Sequence, residues 1–512
     1  MDEPLKALSD KDLSISTLQE KGRCLVTTRD FSPGEVILRE TPYVSVPTKN
    51  KESPKSKCEW CFTSRNLKRC SACHLVWYCS SKCQKADWKF HSVECEILPS
   101  HEKNRITPSI RLMVRLYMRR KLEISKIMPT TAMEDYKFVD AMVSHYSDIG
   151  EEKLVLYAQM ANLVSLILLR WPVSNLDIKG IAETFSKLAC NAHTICDSEL
   201  RPLGTGLFPF ISLINHSCLP NAVLVFEGRS AVVRAIQHIP EGSEVIFDHI
   251  LPAGKWSIST MLKLSIHHFL LQVLISYIDI AGSTITRKKA LKEQYYFDCG
   301  CIRCLKLGEP EDMQESAMLE GYRCKNEKCD GVTLRDSDNK GFVCQKCGLS
   351  RDMEEIKNIA KEIELRSEKT SELLYSGRNL EAIASYMVFE DLQVQLCHPF
   401  SINLMRTRET LLRMFMEKQD WEQALEYCRL TIPVYEKAYP SCHPLLGLQY
   451  YMCGKLEWAM LDAEGAARSL TKALDVLRIT HGARSGFVME LHAQLEEARA
   501  EASYNTHQHH QD

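Results

Sequence analysis

The sequence predicts an α+β protein of several domains. A β-rich core is interrupted by a zinc-binding segment and a helical insertion, and is followed by two more zinc sites and a C-terminal helical array. Three observations lead to this prediction. A chain of 512 residues is too long for one hydrophobic core. Most of its 22 cysteines stand in closely spaced groups. Segments with strand-like alternation flank one helical region, and helical periodicity returns from about residue 352.

The composition favours a soluble intracellular protein, in the nucleus, the cytoplasm or both. A formal net charge of −2 gives the chain as a whole no preference for nucleic acid or anionic membranes. The first residues, MDEPLKALSDKDLS, lack the apolar centre of a signal peptide. The longest apolar stretch, 154–169, contains Gln159 and Asn162 and is shorter than the ~20 residues that span a bilayer. We therefore expect no membrane association, and cysteines that stay reduced.

Two segments predict the strands of the core. Residues 22–46 alternate in polarity on either side of Pro33-Gly34, and residues 231–245 repeat the pattern around 240–242. Proline and glycine at the break are typical of a turn, so each segment predicts a strand, a turn and a second strand.

The region between these segments predicts helices, because apolar residues of 105–189 recur every three or four positions. Within it Arg111, Arg115 and Arg119 are spaced four apart, opposite apolar positions. This spacing predicts an amphipathic helix whose basic face is solvated, and an acidic partner is the alternative.

From residue 352 onward the sequence predicts an array of paired helices. Three segments align with Ala382, Ala424 and Ala466 at intervals of 42 residues. Small residues at fixed positions allow neighbouring helices to pack closely, and each pair needs its neighbour to bury an apolar face. The pattern is typical of a tetratricopeptide-type (TPR-like) array, with a longer period. We interpret it as a scaffold, with peptide binding in its concave face as the functional alternative.

The densest cysteine group predicts two structural zinc ions. Residues 58–95 hold eight potential ligands in four close pairs: Cys58, Cys61, Cys70, Cys73, Cys79, Cys83, His91 and Cys95. Two tetrahedral ions need four nitrogen or sulfur donors each, so no coordination position stays open for catalysis. A segment this short buries little apolar surface, and metal binding must therefore supply its folding free energy.

Two further groups predict one zinc ion each. Cys299, Cys301 and Cys304 make an incomplete tetrahedral site, and Cys218, within the apolar run 211–226, is the expected fourth ligand. The other group has two cysteine pairs separated by a turn-rich segment, which is typical of a zinc-ribbon-like knuckle. Its members are Cys324, Cys329, Cys344 and Cys347.

The order of several motifs resembles the SET and MYND domain lysine methyltransferases, in a plant-type form. These motifs are KGRCL, the inserted finger, CNAHTI, LINHSCLPN, LISYID and YYFDCGC. The resemblance covers nearly the whole chain. It implies a SET core over 1–57 and 190–279, a MYND zinc finger over 58–95, a helical insertion over 96–189, a post-SET zinc site over 280–308, the knuckle over 309–351 and the TPR-like array over 352–505.

The resemblance also implies ligand sets and a reaction. Cys58, Cys61, Cys79 and Cys83 would share one zinc ion of the finger, and Cys70, Cys73, His91 and Cys95 the other. The reaction would transfer a methyl group from S-adenosylmethionine to a protein lysine. The cofactor contacts would be Lys21, Gly22, Arg23, Asn191, Asn215, His216, Tyr277 and Phe297. Tyr277 and Tyr295 would be the catalytic residues, with Tyr295 lining the lysine channel, and His193 is the candidate for product control.

The implied partners are proteins. The substrates would be histone tails or other lysine-containing proteins, the MYND finger would bind proline-containing peptides, and the TPR-like array would bind other peptides. Direct DNA binding is disfavoured, because the finger segment SSKCQKADWKFH offers mainly lysines, which contact phosphates rather than base edges. The alternative function is a catalytically impaired adaptor that binds partners through the finger and the array.

The adaptor alternative arises from residues 246–273, which depart from the family pattern. They separate Val245 from Leu274, inside a strand that leads to Tyr277. Removing them restores the family pattern, so we predict that they derive from a retained intron or a gene-model error. Abundant transcripts that contain the segment would refute this origin. A loop costs little by its length alone, so folding would survive its presence.

Overall fold

The computed structural model divides the chain into two compact units. The first comprises Met1–His216, Pro220–Ile275 and Lys292–Phe297, and the second comprises Ser217–Leu219, Ser276–Leu291 and Asp298–Asp512. The described residues are 2–18, 21–48, 56–98, 106–128, 135–171, 176–241, 272–338 and 340–509. Of the anomalous segment 246–273, only Gln272 and Val273 are described, and the rest lies outside these ranges.

The described part of the first unit contains five small sheets. Its strands are β1 (Leu13–Leu18), β2 (Gly22–Thr27), β3 (Val36–Glu40), β4 (Val44–Pro47), β5 (Lys68–Arg69), β6 (Trp77–Tyr78), β7 (Ala192–Cys196), β8 (Pro202–Leu207), β9 (Asn215–His216), β10 (Ala222–Glu227), β11 (Ser230–Ala235) and β12 (Leu274–Ile275). The sheets run β1-β2, β5-β6, β9-β12, β10-β11-β3 and β4-β8-β7. Strands β9 and β12 are parallel, and the other pairs are antiparallel.

The strand predictions are confirmed where the chain is described. Gly34 lies between β2 and β3 at φ 89°, a left-handed conformation that favours glycine. Strand β11 occupies the first half of 231–245, whereas residues from Gly242 onward lie outside the described part. Leu38 of β3 pairs with Val233 of β11. The finger and the helical insertion are therefore inserted between partner strands of one sheet.

The described part of residues 105–189 is mainly helical, as predicted. The helices of the first unit are α1 (Asp2–Ser9), α2 (Ser81–Ile97), α3 (Pro108–Ile124), α4 (Tyr136–Asp140), α5 (Glu151–Leu168) and α6 (Ile178–Asn191), with 3-10 turns at Tyr146–Asp148 and Ile211–Leu213. Met113 of α3, Val164 of α5 and Ile181 of α6 are fully buried in one cluster, which also contains Val46 of β4 and Leu207 of β8. The helical insertion is thus packed on the sheet β4-β8-β7.

The arginine face of α3 is buried, so the predicted solvated face is wrong. Arg115 and Arg119 are each 4% exposed. Arg111 donates to the Glu94 carboxylate of α2 at 2.9 and 3.0 Å, and Arg115 donates to the same carboxylate at 2.6 and 2.9 Å. Arg115 also donates to Asp87 at 3.0 Å. The helical period was correct, but the polar stripe contacts the acidic face of the finger instead of water.

The second unit combines a small sheet with a long series of helices. Its elements are α7 (Thr284–Tyr295, whose last four residues belong to the first unit), α8 (Ile302–Leu305), α9 (Pro310–Glu320), β13 (Thr333–Arg335), β14 (Gly341–Cys344), β15 (Ser350–Asp352), α10 (Met353–Tyr375), α11 (Asn379–Leu396), α12 (Ile402–Glu417), α13 (Trp421–Ala438), α14 (Pro444–Ala459), α15 (Ala463–Leu477), a π-helical turn (Arg478–Gly482) and α16 (Gly486–His509). None of the helices described in either unit is both long and apolar enough to cross a bilayer.

The three spaced alanines occupy equivalent positions in the helical array. Ala382, Ala424 and Ala466 are each the fourth residue of their helix, in α11, α13 and α15, and each is completely buried. Close packing of neighbouring helices is also seen at Gly454 of α14, where a Cβ would lie 2.7 Å from the Leu470 side chain of α15. The helical content predicted from residue 352 onward is confirmed.

Candidate functional site

The loop that enters β2 contains an open glycine. Gly22 has φ +68°, and a Cβ there would meet nothing within 4 Å. Positive φ disfavours other residues, and the open space leaves this backbone accessible. The preceding Lys21 donates its N–H to the Leu18 carbonyl at 3.3 Å. The Arg23 guanidinium donates to the Ala141 carbonyl, which anchors that side chain at the end of α4.

Asn215 and His216 form strand β9, which is held by its parallel partner β12. Asn215 pairs with Leu274, and His216 pairs with Ile275. The Asn215 Nδ2 lies 3.5 Å from the Gln272 Oε1 to which it donates. His216 is 6% exposed, whereas Asn215 is half-buried. The two residues of the Asn-His pair are therefore fixed by backbone pairing, and one of them stays open to solvent.

The chain enters β12 through the last two residues of the anomalous segment. Asn221 donates its Nδ2 to the Gln272 carbonyl at 2.6 Å, and its Oδ1 accepts from the Leu274 N–H at 2.8 Å. Val273 is fully buried, and its N–H donates to the Leu25 carbonyl at 3.1 Å. The backbone that leads into β12 is thus bonded to β2 on one side and to Asn221 on the other.

Sequence reasoning gave no role to Asn221 or to Glu40, the other buried side chain that fixes this region. Glu40 ends β3, is 5% exposed, and accepts from the N–H groups of Phe210 at 3.1 Å and Ile211 at 2.9 Å. It satisfies the turn that precedes β9. No local spacing marks Glu40, because its partners lie 170 residues away. Asn221 could have been recognised from the sequence, because it is the last residue of the motif LINHSCLPN.

Two aromatic residues lie at the end of α7. Tyr295 is its last residue, and Phe297 lies two residues beyond it. The Phe297 ring lies beside His216, with centroids 6.1 Å apart and planes inclined by 58°. The Tyr295 hydroxyl accepts from the Gln294 side-chain amide at 3.3 Å. Burial raises the pKa of Tyr295 to about 12, so its hydroxyl remains protonated at neutral pH. The structure thus brings Phe297 and His216, two of the predicted cofactor contacts, close together.

Asn191 ends α6, and His193 lies in the strand that follows. The Asn191 amide donates to the carbonyls of Val143 at 3.1 Å and Lys187 at 2.8 Å. The His193 ring contacts Phe208 edge to face, with centroids 6.0 Å apart, and its Nδ1 is sealed from water. Burial lowers the pKa of His193 to about 4, so the ring is neutral at physiological pH.

Tyr277 belongs to the second unit, in the segment that follows β12. Two residues further on, the Asp279 carboxylate accepts from the Tyr439 hydroxyl at 2.8 Å and pairs with Arg406 at 3.4 Å. Tyr439 caps α13 and Arg406 belongs to α12. Within this unit, the helical array therefore anchors the backbone that carries Tyr277.

The predicted metal ligands form four groups, and the ligand atoms of each group all lie within 4.8 Å of one another. The groups are Cys58, Cys61, Cys79 and Cys83; Cys70, Cys73, His91 and Cys95; Cys218, Cys299, Cys301 and Cys304; and Cys324, Cys329, Cys344 and Cys347. Cys218 lies with the trio, and its Sγ is 3.5 Å from that of Cys304. In the finger, Cys58 and Cys61 lie with Cys79 and Cys83. Cys70 and Cys73 lie with His91 and Cys95.

The sulfur spacings suit tetrahedral zinc. Zn–S bonds of ~2.3 Å place two sulfurs of a tetrahedron ~3.8 Å apart. The Sγ atoms of Cys61 and Cys79 are 3.5 Å apart, and those of Cys324 and Cys347 are 3.4 Å apart. All sixteen donors are thiols or imidazole, the ligand types that zinc prefers in structural sites.

A buried carboxylate lies near the single histidine among these donors. His91 directs Nε2 toward the Cys70 Sγ at 3.3 Å, and its Nδ1 lies 4.0 Å from the Glu94 carboxylate. Glu94 is completely buried, and Arg111 and Arg115 hold it in place. Carboxylates near the second ring nitrogen are common beside metal-binding histidines, where they favour the ring orientation that presents Nε2.

Comparison with known proteins gives the class of this fold. The SET domain family matches residues 22–250. The chain is 53% identical over 500 residues to histone-lysine N-methyltransferase ASHR1 of Arabidopsis thaliana, with 97% of each chain covered. It is 29% identical to N-lysine methyltransferase SMYD2-B of Xenopus laevis, covering 93% of this chain and 96% of that one. It is 27% identical to histone-lysine N-methyltransferase SMYD3 of Mus musculus, covering 94% and 97%.

These findings describe a SET fold of mixed α and β content with many helices and with cysteine clusters of zinc-binding type. The chain belongs to the SET and MYND domain protein-lysine methyltransferase family. The family predicted from the motifs is thereby confirmed.

Proposed function

We propose that this protein is an S-adenosylmethionine-dependent protein-lysine N-methyltransferase that acts on histone tails or other lysine-containing proteins. The observation that carries the proposal is strand β9, in which Asn215 and His216 are held parallel to β12, two residues before Tyr277. Two residues beyond His216, the chain reaches Cys218 and its metal-ligand group. The relatives that match nearly the full length carry lysine methyltransferase names.

The proposed cofactor contacts include one residue with open backbone and a pair of neighbouring rings. The open backbone at Gly22, the Asn215 amide and His216 would hold the cofactor, with the Phe297 ring against its adenine. The remaining proposed contacts are Lys21, Arg23, Asn191 and Tyr277. S-adenosylmethionine supplies, when bound, a methyl group on a cationic sulfonium. The open backbone at Gly22 would let the cofactor approach closely, because a larger residue there would strain the backbone.

The protein's own residues would prepare the lysine. A free lysine has a pKa of ~10.4, so its ammonium must lose a proton before it attacks. An apolar aromatic channel favours the neutral amine, which would release its proton to solvent before the attack, so no dedicated base is needed. Tyr295 would line this channel without adding charge, because burial raises its pKa to about 12. Alignment of amine and methyl group supplies up to ~7–11 kcal/mol in the best model reactions.

The number of methyl groups transferred would depend on the width of this channel. His193 is the proposed control residue, since it is neutral and its ring lies against Phe208. Tyr277, the second proposed catalytic residue, would contact the methyl group through its hydroxyl, which complements partial positive charge.

The four ligand groups would hold four structural zinc ions. Two belong to the proposed MYND finger 58–95, one to the post-SET site 280–308 and one to the knuckle 309–351. Each group offers four donors, so a zinc ion would have no open position and would stabilise the fold rather than take part in the reaction.

The other segments would serve recognition. The finger is proposed to bind proline-containing peptides, and the TPR-like array 352–505 other peptides. Direct DNA binding is disfavoured, because the finger segment SSKCQKADWKFH offers mainly lysines, which contact phosphates rather than base edges. Histone or other protein substrates are compatible with a location in the nucleus, the cytoplasm or both.

The end of the anomalous segment favours an enzyme over an inactive adaptor. If residues 246–273 were absent, Val245 would directly precede Leu274. With them present, Val273 precedes Leu274, so a valine stands before Leu274 in both cases. The hydrogen bonds of Val273 and Leu274 are made with the segment present. The segment's origin as a retained intron or a gene-model error stays a prediction for transcript sequencing.

Cofactor binding separates the two functions. Calorimetric titration of the purified full chain with S-adenosylmethionine should show one saturable site per chain. Asn215→Ala and His216→Ala should each weaken it at least about tenfold, since each removes a polar contact from a partly buried site. Asn358→Ala, on an exposed face of α10, is the matched control and should bind normally. Folded wild-type protein without saturable uptake would favour the adaptor and contradict the proposal.

A further inference from the structure

The residue that follows α7 is a tyrosine in an unusual backbone conformation. Tyr296 has φ +62°, in the left-handed region. Its N–H donates to the Lys292 carbonyl at 3.2 Å, so the helical hydrogen bonds of α7 end at this residue. Glycine is the usual left-handed residue at a helix end, because a side chain there crowds the backbone. The backbone therefore disfavours a tyrosine at this position, unless its side chain makes compensating contacts.

Two residues of the helical insertion hold the Tyr296 side chain. The His145 ring stacks on it, with centroids 5.5 Å apart and planes inclined by 28°. The Lys153 ammonium of α5 donates to the Tyr296 hydroxyl at 3.3 Å and to the Glu293 carbonyl at 3.2 Å. His145 also has a left-handed backbone, at φ +47°, and its Nδ1 lies 3.1 Å from the Asp148 carboxylate. All of these residues belong to the first unit. The end of α7 is thus attached to the helical insertion through Tyr296.

Tyr296 separates two residues of the candidate site. Tyr295, before it, would line the lysine channel, and Phe297, after it, has its ring 6.1 Å from that of His216. Rotation about the φ angle of Tyr296 turns the chain before this bond relative to the chain after it. The angle between the Tyr295 and Phe297 side chains therefore depends on this one residue. Bulky residues held in the left-handed region are concentrated at functional sites, where the surrounding structure fixes them.

We propose that Tyr296 is a positioning residue for methyl transfer, fixed in place by His145 and Lys153. It keeps Tyr295 at the lysine and Phe297 at the adenine of the cofactor in one relative orientation, and it touches neither reactant itself. Alignment of the two reactants supplies much of the rate of such a reaction, so a small displacement of either side chain slows it. The inference rests on the proposed methyltransferase function and adds the residues that set the geometry of its two aromatic contacts.

The substitution Tyr296→Gly tests this role in the full chain. Glycine adopts the left-handed backbone without strain, so the variant should fold with a Tm close to that of wild type. Labelled S-adenosylmethionine is varied at a fixed amount of cell extract, and label transfer to lysines gives an apparent KM for the cofactor and a maximal rate. We expect the KM to rise at least about threefold, because Phe297 is no longer fixed, and the maximal rate to fall at least about tenfold.

Two further variants and a control identify the contacts responsible. Tyr296→Phe keeps the ring that stacks on His145, so both constants should stay within about twofold of wild type. His145→Gly keeps the left-handed backbone but removes the stacking partner, and should change both constants in the same direction as Tyr296→Gly. Gln419→Gly is the matched control. Gln419 also has φ +62°, lies just beyond the end of α12 and has an exposed side chain, so this variant should behave as wild type.

The KM distinguishes positioning from a purely structural role. A substitution that only reduced the folded fraction would lower the maximal rate together with the Tm and leave the KM unchanged, and this result for Tyr296→Gly would overturn the inference. Wild-type values of both constants in Tyr296→Gly would overturn it as well. A wild type that binds no S-adenosylmethionine refutes the proposed enzyme and this inference with it, whereas an active wild type that Tyr296→Gly equals refutes the inference alone.

Discussion

Single buried polar residues hold the candidate site together from distant points of the chain. The Glu40 carboxylate accepts hydrogen bonds from two backbone N–H groups of the turn before β9. Asn221 uses both ends of its amide on the backbone that enters β12. Each side chain replaces the water that these backbone groups would otherwise need, so its removal leaves buried donors or acceptors unpaired.

The substitution Glu40→Ala tests this role. It leaves the N–H groups of Phe210 and Ile211 without their acceptor, at a cost of ~1–3 kcal/mol for each buried group. We expect the Tm, measured by scanning calorimetry, to fall by several degrees. Glu152→Ala, at an exposed position of α5, is the control and should change stability by less than ~0.5 kcal/mol. Equal Tm values for the two variants would show that Glu40 does not support the turn.

His193 should make the protein less stable in mild acid. Burial lowers its pKa from 6.5 to about 4 in the folded chain, so the unfolded chain binds the proton more readily. The stability it contributes is therefore complete above pH ~6.5 and is lost as the pH falls toward about 4. Between pH 7.5 and 5.5, wild type should lose on the order of 1 kcal/mol more than His193→Phe. A Tm difference between the two proteins that stays constant over this range would contradict the prediction.

At the scale of elements, the contact between α2 and α3 joins the finger to the helical insertion. Glu94 lies beside His91 on one side and accepts from Arg111 and Arg115 on the other. The same carboxylate therefore lies close to a proposed metal ligand and pairs with the insertion. The stability of the finger and the packing of α3 should depend on each other.

The substitution Arg115→Met tests this connection. It leaves the buried carboxylates of Asp87 and Glu94 with fewer partners, and breaking a buried ion pair costs ~3–5 kcal/mol. We expect a lower Tm and faster release of zinc to a chromogenic chelator. Lys89→Met, at an exposed position of α2, is the matched control. Unchanged zinc release in Arg115→Met would separate the metal site from the insertion.

Patterns that are local in sequence were the ones that predicted structure. Closely spaced ligand pairs and alanines at intervals of 42 residues report on one element or one repeat, and the structure places both as expected. Cys218 was assigned because three thiolates are one donor short of a tetrahedron. The burial of Arg115 was missed, since its partners lie on another element, and helix periodicity does not distinguish water from an acidic surface. Glu40 was missed for the same reason.

At the scale of the whole molecule, the two units are interleaved along the chain. Ser217–Leu219 belongs to the second unit, whereas the residues on either side of it belong to the first. The proposed cofactor contacts Asn215 and His216 are therefore close in sequence to the proposed metal ligand Cys218. Loss of the proposed zinc ion from this group should destabilise the second unit, to which all four of its ligands belong.

The zinc content of the whole chain follows from the four ligand groups. Purified protein should contain four zinc ions per chain by plasma mass spectrometry, because each group offers a complete tetrahedral donor set. Cys218→Ser should lower the content to about three and reduce the Tm. Cys442→Ser, which belongs to no ligand group, should leave it at four. A wild-type content of two or fewer would contradict the proposed assignment.

The central claim is that this chain, with residues 246–273 present, transfers methyl groups to lysine. Purified full-length protein is incubated with S-adenosylmethionine carrying an isotopically labelled methyl group and with a cell extract, and modified residues are identified by mass spectrometry. We predict label on lysine side chains of extract proteins, reduced at least about tenfold by His216→Ala, which removes a proposed cofactor contact. Folded, zinc-loaded wild type that labels no lysine above the level of this variant would contradict the claim.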